Sequence, residues 1–291
     1  MQDPRELLRR VRLLELRTRA AVEGGLGGQY RSVFRGSGLA YEDVREYESG
    51  DDLRAMEWNV TARLQRPFVK VYREERELTV MLLLDVSASV SCGSRKPNRE
   101  TLAQVAALLA FSATRTRDRV GAVLFTDRVE RFIPPARGRA QALRIVRELL
   151  GVESRGSATS IATALRHVMR AVRRRAVVFV VSDFDDQGYE RELRVVSRRH
   201  DVIGLEIVDP EASELPRAGL LLLQDAETNE RRVVDASDPR VRRAFVEAVS
   251  SARDARRAAF RRARIDRAEI DASRPAHVPL ARLFRLRERR T

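Results

Sequence analysis

Asp85, Ser87 and Ser89 stand at alternate positions directly after an apolar run, Leu78-Thr79-Val80-Met81-Leu82-Leu83-Leu84. All three side chains end in hard oxygen donors, which suit Mg²⁺ or Mn²⁺ better than zinc or copper. A short run of apolar and β-branched residues predicts a strand buried on both faces. The turn at the carboxyl end of such a strand is where open α/β sheets hold their ligands. Two more oxygen-bearing side chains fall at comparable places. Thr159 lies in Gly156-Ser157-Ala158-Thr159-Ser160 before a helical segment, and Asp183 follows a second apolar strand over 176–181. Adjacent parallel strands lie about 4.8 Å apart, so loops at their ends can share one ion. Two carboxylates and three hydroxyls, completed by water, meet the octahedral oxygen demand of Mg²⁺ and leave a position for a carboxylate from outside. Taken alone, Asp85-x-Ser87-x-Ser89 fits an N-capping turn equally well.

The elements that must position these residues follow from periodicity. Helices are expected over 4–22, 99–116, 140–150, 161–172, 189–199, 239–265 and 280–289, and strands over 68–72, 78–84, 120–125, 129–133, 176–181 and 202–208. Strands separated by helices of this length imply parallel pairing with right-handed crossovers. Pro134-Pro135 is expected to stop one strand. Leu220–Gln224 and Arg231–Val234 suggest a hairpin on one edge of the sheet. Gly24-Gly25-Leu26-Gly27-Gly28 reads as a flexible linker, since no strand precedes it and no Gly-Lys-Ser/Thr follows as a phosphate loop requires. The chain divides into 1–36 (helix and Gly-rich linker), 37–77 (a segment with one strand), 78–265 (the α/β domain) and 266–291 (a basic tail with a short helix).

The 291 residues carry a net charge of +14, which invites a nucleic-acid or anionic-membrane partner. Almost all of it is arginine, with lysine only at 70 and 96, and many arginines sit beside acids, as in Arg73-Glu74-Glu75-Arg76-Glu77. Such runs are commonly solvated faces, so nucleic acid is disfavoured as the main partner. A single cysteine, Cys92, excludes an internal disulfide and reads as an incidental thiol. No apolar signal-type segment opens the chain, and none approaches the ~18 residues of a membrane span. A cytoplasmic location is expected. His167, His200 and His277 have no metal-ligand spacing; Trp58 is expected in a core, Asp51 and Asp52 as turn caps, and Asp127, Asp185 and Asp186 as turn residues.

Asp85-x-Ser87-x-Ser89, then Thr159, then Asp183 resembles the metal-ion-dependent adhesion site of von Willebrand factor A-type domains. The resemblance implies a Rossmann-like α/β domain, with a mainly parallel central sheet flanked by helices, that binds an Asp or Glu of a protein partner through Mg²⁺. A second stretch, Tyr47 to Asn59 with Gly50-Asp51-Asp52-Leu53-Arg54-Ala55-Met56-Glu57-Trp58, is followed by Thr61-Ala62-Arg63 and Pro67. It resembles the bacterial domain of unknown function 58 family, whose pattern reads roughly Gly-Asp-Asp-x-Arg-x-Ile-Asp-Trp-x-x-Ser-Ala-Arg. Met56, Glu57 and Thr61 here replace Ile, Asp and Ser. Genes of that family commonly neighbour MoxR-type AAA+ ATPases, which implies an adaptor working with such an ATPase on protein complexes.

The resulting expectation is a non-catalytic, Mg²⁺-dependent (or Mn²⁺-dependent) interaction module. A metal-dependent phosphohydrolase is the alternative, but such sites carry a second acid two residues after the nucleophilic Asp, where this chain has Ser87. No Gly-x-Ser-x-Gly elbow supports a serine hydrolase. An arginine-rich nucleic-acid binder is the remaining alternative.

Overall fold

The computed structural model describes residues 4–34, 39–74, 77–91, 98–154, 156, 158–225 and 230–290; Cys92 lies outside them. The chain divides into two units, one of residues 1–33 with 79–291 and one of residues 34–78.

The larger unit is built on a six-stranded sheet. In chain order its elements are α1 (Pro4–Ala21), α2 (Gly27–Val33), then β3 (Thr79–Asp85), α4 (Ala88–Ser91), α5 (Asn98–Arg115), β4 (Arg119–Phe125), β5 (Val129–Ala136), α6 (Arg139–Gly151), α7 (Ile161–Ala171), β6 (Val177–Ser182), α8 (Glu190–Ser197), β7 (Asp201–Val208), β8 (Leu220–Gln224), β9 (Arg231–Asp235), α9 (Pro239–Ala263), β10 (Asp266–Asp271) and α10 (His277–Glu288). The sheet order is β10-β7-β6-β3-β4-β5. All pairings are parallel except β4 with β5. The fold is therefore the expected α/β, Rossmann-like type, a mainly parallel central sheet flanked by helices. β3, at the centre, is fully buried from Val80 to Asp85. It is covered on both faces, which is why its sequence shows no polar alternation. Met81 and Leu83 pack with α7, α8 and the end of α9, while α5 and α6 cover the opposite face.

The register aligns the carboxyl ends of the strands. Asp85 pairs with Phe125, Leu84 with Val181, and Ser182 with Glu206. Gly204 on β7 admits Phe260 of α9, whose ring lies where a side chain at 204 would have to sit.

Several expectations are corrected. Residues 24–28 are not a flexible linker: a kink over Val22–Leu26, with Gly25 at a positive φ of 136°, joins α1 to α2, and Val22, Leu26 and Gly27 are buried. At Gly27 any side chain would meet the Val22 carbonyl at 2.9 Å. Tyr30 of α2 is fully buried, donates to Asp118 Oδ2 at 3.1 Å and meets Phe284 of α10 edge-on. Residues 266–291 are not a separate tail, because 266–271 form an edge strand of the main sheet and α10 packs against it. The 220–235 hairpin forms its own two-stranded sheet instead of extending the main one. Pro134 and Pro135 lie inside β5, which an edge strand tolerates because one side needs no ladder hydrogen bonds.

Tyr30→Ala should cost about 3–5 kcal/mol, the usual toll of emptying an aromatic site. Tyr30→Phe, which keeps the ring and loses the bond to Asp118, should cost about 1 kcal/mol. Urea denaturation of both variants checks the ranking.

The unit of residues 34–78 pairs β1 (Leu39–Glu46) antiparallel with β2 (Phe68–Glu74) around α3 (Trp58–Leu64). Its motif residues serve local structure. Asp51 accepts both ends of the Arg45 guanidinium (2.7 and 2.5 Å) and the Glu48 N–H (2.9 Å). Asp52 caps the 3₁₀ turn Leu53–Ala55. Glu57 caps α3 and pairs with Lys70 at 3.1 Å. The Thr61 hydroxyl accepts from the Phe68 N–H at 2.9 Å. Trp58 is 67% exposed, contrary to the core position expected for it.

Candidate metal centre

β3 and β6 deliver their last residues side by side at the centre of the sheet. Ser182 donates to Asp85 Oδ2 at 2.6 Å, so the two strand ends are bonded directly. After Asp85 the chain turns. Asp85 Oδ1 accepts the Ser87 N–H at 3.0 Å, while the Val86 N–H bonds the Phe125 carbonyl. The turn brings the Ser87 and Ser89 hydroxyl oxygens within 3.0 Å of each other. Ser87 also bonds Asp85 through its side chain, and Ser89 bonds Asp183. Ser182 is 3.4 Å from Asp183 Oδ1. Asp85, Ser87, Ser89, Asp183 and Ser182 therefore form a ring of neighbouring oxygen-bearing side chains at the strand ends.

This ring is rich in acceptors. Two carboxylates offer about eight lone-pair sites, and three hydroxyls bring three protons. Backbone N–H groups of Ser87 and Asp185 add two more donors. Burial, and next the charge of Asp183, pushes the Asp85 carboxyl up to about 7. Burial also raises Asp183, opposed by the Asp185 N–H, Ser89 and the Arg256 guanidinium. Like charges held together in a poorly solvated place favour a cation between them. The donor set, oxygen throughout, fits Mg²⁺ or Mn²⁺.

Thr159 is placed by its loop. The Ser160 N–H bonds the Thr126 carbonyl at the end of β4, and the Ile161 N–H bonds Asp186 Oδ2 at 2.8 Å. Ser154 Oγ donates to the Val86 carbonyl at 2.6 Å, and the Gly156 N–H reaches Glu130 Oε1 at 2.8 Å. A side chain at 156 would collide with Asp127 and Thr126. The loops after β3, β4 and β6 are thus stitched together around the strand ends. Asp186 is a half-buried clamp and not the solvated turn residue expected, whereas Asp185 is exposed. His200 is structural: its Nδ1 accepts the Ala176 N–H at 3.2 Å.

Sequence reasoning passed over Ser182 and the charged network beside it. Glu206, buried on β7, bonds Arg256 Nε at 3.0 Å and Arg267 Nη1 at 2.5 Å. Glu269 takes Arg257 at 2.9 Å and Arg267 at 2.6 Å. Part of the arginine run that suggested a nucleic-acid surface is thus spent on internal ion pairs. A cleft of about 320 Å³ opens beside the ring, with Ser89 and Asp183 and, from α9, Arg253 and Arg256 among its lining residues. Among the described residues no helix is long and apolar enough to cross a membrane, and no cluster of three His, Cys, Asp or Glu side chains suited to a metal occurs. The ring falls outside that definition because it has two acids and three hydroxyls.

Solved structures similar to this chain include BatB from Bacteroides thetaiotaomicron (14% identity, 73% of this chain and 99% of that chain, TM-score 0.46). An aerotolerance-related membrane protein from Bacteroides fragilis is also similar (15% identity, 72% and 99%, TM-score 0.49). The uncharacterized protein Rv1480 of Mycobacterium tuberculosis is 32% identical over 257 residues, covering 87% of this chain and 80% of that protein. The family described as "Protein of unknown function DUF58" matches residues 43–255. With a match across that span and a relative of this identity over most of both chains, the protein belongs to the DUF58 family.

Proposed function

We propose that this chain is a non-catalytic interaction module that captures an acidic side chain of a protein partner through Mg²⁺ or Mn²⁺. Asp85, Ser87, Ser89, Thr159 and Asp183 would hold the ion. The observation that carries this reading is the acceptor-rich ring at the carboxyl end of the sheet. When bound, the ion supplies a positive centre that attracts a carboxylate from outside. The chain's own residues do the positioning. Ser182 fixes Asp85, the turn from β3 sets the two serine hydroxyls, and the bonds at Ser160 and Ile161 hold the loop of Thr159. Only two ligands carry charge, which leaves the ion attractive to an acid. Ser87, where a phosphohydrolase would carry its general acid, supports binding over turnover.

The partner is a MoxR-type AAA+ ATPase, with this chain acting as a cytoplasmic adaptor in the assembly or maturation of protein complexes. The test is capture of the purified MoxR-type ATPase of the same genome on immobilised protein, in Mg²⁺ and in EDTA. Capture is expected in Mg²⁺ and lost in EDTA. Capture that persists in EDTA removes the metal mechanism, and absence of capture in both removes that partner. Hydrolysis of p-nitrophenyl phosphate that depends on Asp85 would replace the reading with the hydrolase.

A further inference from the structure

Arg253 lines the cleft and takes no part in the ring or in the ion pairs of Glu206 beside it. It lies on α9 one turn before Arg256, so both guanidinium groups leave the same helix face. Arg256 is fully engaged, at 3.0 Å from Glu206 and 3.9 Å from Asp185. Arg253 lines the same cleft as Ser89 and Asp183, yet its Nε is buried with no hydrogen-bond partner among the described residues. Leaving a guanidinium N–H buried and unpaired is costly. The cleft is otherwise acidic, with Asp183, Asp185, Glu206 and Asp209 on its walls. Glu206 is balanced by Arg256 and Arg267, and Asp209 accepts the Glu211 N–H. A cation in the ring would balance Asp183, and Arg253 would then be a guanidinium on the cleft with no ion pair among the described residues.

We propose that Arg253 is a second docking point for the partner, receiving a further carboxylate of an acidic protein segment whose first carboxylate is taken at the ring. This deepens the metal-dependent reading above and rests on it. A guanidinium fork matches a carboxylate bidentately, giving direction as well as charge. The helix holds Arg253 at a fixed place relative to Asp183, so the site selects for the spacing between the two acids. It also makes the cleft reject acidic segments when the ring holds no cation, because Asp183 and Asp185 then face them.

The experiment uses the full chain and fluorescein-labelled Gly-Ser peptides carrying one glutamate, or two glutamates at a series of spacings. Binding is followed by fluorescence anisotropy in Mg²⁺ and in EDTA. In Mg²⁺ the best two-glutamate peptide should bind about tenfold tighter than the one-glutamate peptide, the gain of one charged hydrogen-bonded pair. Arg253→Gln should bind the one-glutamate peptide like wild type and lose the tenfold preference, and Arg253→Lys should recover part of it. Mn²⁺ affinity of the variants, read by electron paramagnetic resonance, should equal that of wild type. A preference that survives in Arg253→Gln, or is missing in wild type, overturns the role of Arg253 while leaving the metal site standing. One-glutamate binding that ignores EDTA, or no Mg²⁺-dependent binding of any peptide, overturns the metal-dependent reading and this inference with it.

Discussion

Asp85→Asn will abolish Mg²⁺ binding and, in metal-free buffer near pH 8, melt at a higher temperature than wild type. The carboxyl of Asp85 is raised to about 7 by burial and by the charge of Asp183. Below the ordinary carboxylate pKa of about 4 it is protonated in both folded and unfolded chains. Between that value and about 7 the unfolded chain ionises while the folded protein keeps its proton, so folded stability falls as pH rises. Above about 7 the loss is complete. Asparagine keeps an acceptor for the Ser87 N–H and puts an N–H donor where Asp85 Oδ2 accepts from Ser182, whose hydroxyl then turns toward Asp183, but it brings no charge into the ring. The variant should therefore gain on the order of a few kcal/mol over wild type near pH 8 and almost nothing near pH 4. Taking the difference between the two proteins cancels the remaining carboxylates, several of which are shifted the other way, among them Asp51 and Glu57. Mg²⁺ at about a hundred times its Kd should add about 2.7 kcal/mol to wild type and nothing to the variant. Scanning calorimetry across this pH range, in EDTA and in Mg²⁺, reads both effects. An equal Mg²⁺ shift in both proteins would show that Asp85 holds no ion.

Glu206→Ala is expected to destabilise the fold by about 3–5 kcal/mol, because it removes the buried carboxylate shared by two partly buried guanidinium groups, leaving Arg267 with Glu269 and Arg256 with the exposed Asp185. The side chains of Arg256 and Arg267 are 18% and 15% exposed, against 1% for Glu206. The three residues come from α9, β10 and β7, so one carboxylate ties a helix and an edge strand to the sheet. Loss of Glu206 should also weaken Mn²⁺ binding, since Arg256, freed of its partner, is a cation beside Asp183 that competes with the metal for that carboxylate. Glu206→Gln, retaining hydrogen-bond capacity, should fall between. Urea melts of the two variants decide: a cost under about 1 kcal/mol for the alanine would mean the network is screened like a surface pair.

The centre of the fold was legible because β3, β4, β6 and β7 are apolar strands with no competing pattern. Three stretches were not, each for a physical reason. β10, Asp-Arg-Ala-Glu-Ile-Asp, satisfies its charges by pairing Arg267 and Glu269 with neighbours, so it shows no apolar run. The glycines at 24–28 carry the signature of a loop, yet Gly27 is required by close contact with Val22 and Arg115 inside a helical turn. Pro134 and Pro135 end most strands, but an edge position removes their penalty. At the candidate site, residue type and position single out Asp85, Ser87, Ser89, Thr159 and Asp183, of which Asp85, Ser87, Ser89 and Asp183 lie side by side at the strand ends and Thr159 in the loop before α7. Ser182 was hidden beside a more conspicuous Asp, although pairing of 84 with 181 was enough to set it against Asp85. Arg253 and Glu206 gave no local signal, since their meaning depends on how a helix distant in sequence crosses the sheet.

The contact of Tyr30 with Phe284 also dictates an order of events during synthesis. Tyr30 leaves the ribosome ahead of Asp118 and can reach it once β4 has emerged, but its aromatic neighbour Phe284 arrives only with α10. At about 5–20 residues per second the N-terminal helices wait on the order of ten to fifty seconds for that neighbour, with part of their apolar face uncovered. Nascent chains released before α10 should accordingly be the ones that chaperones retain.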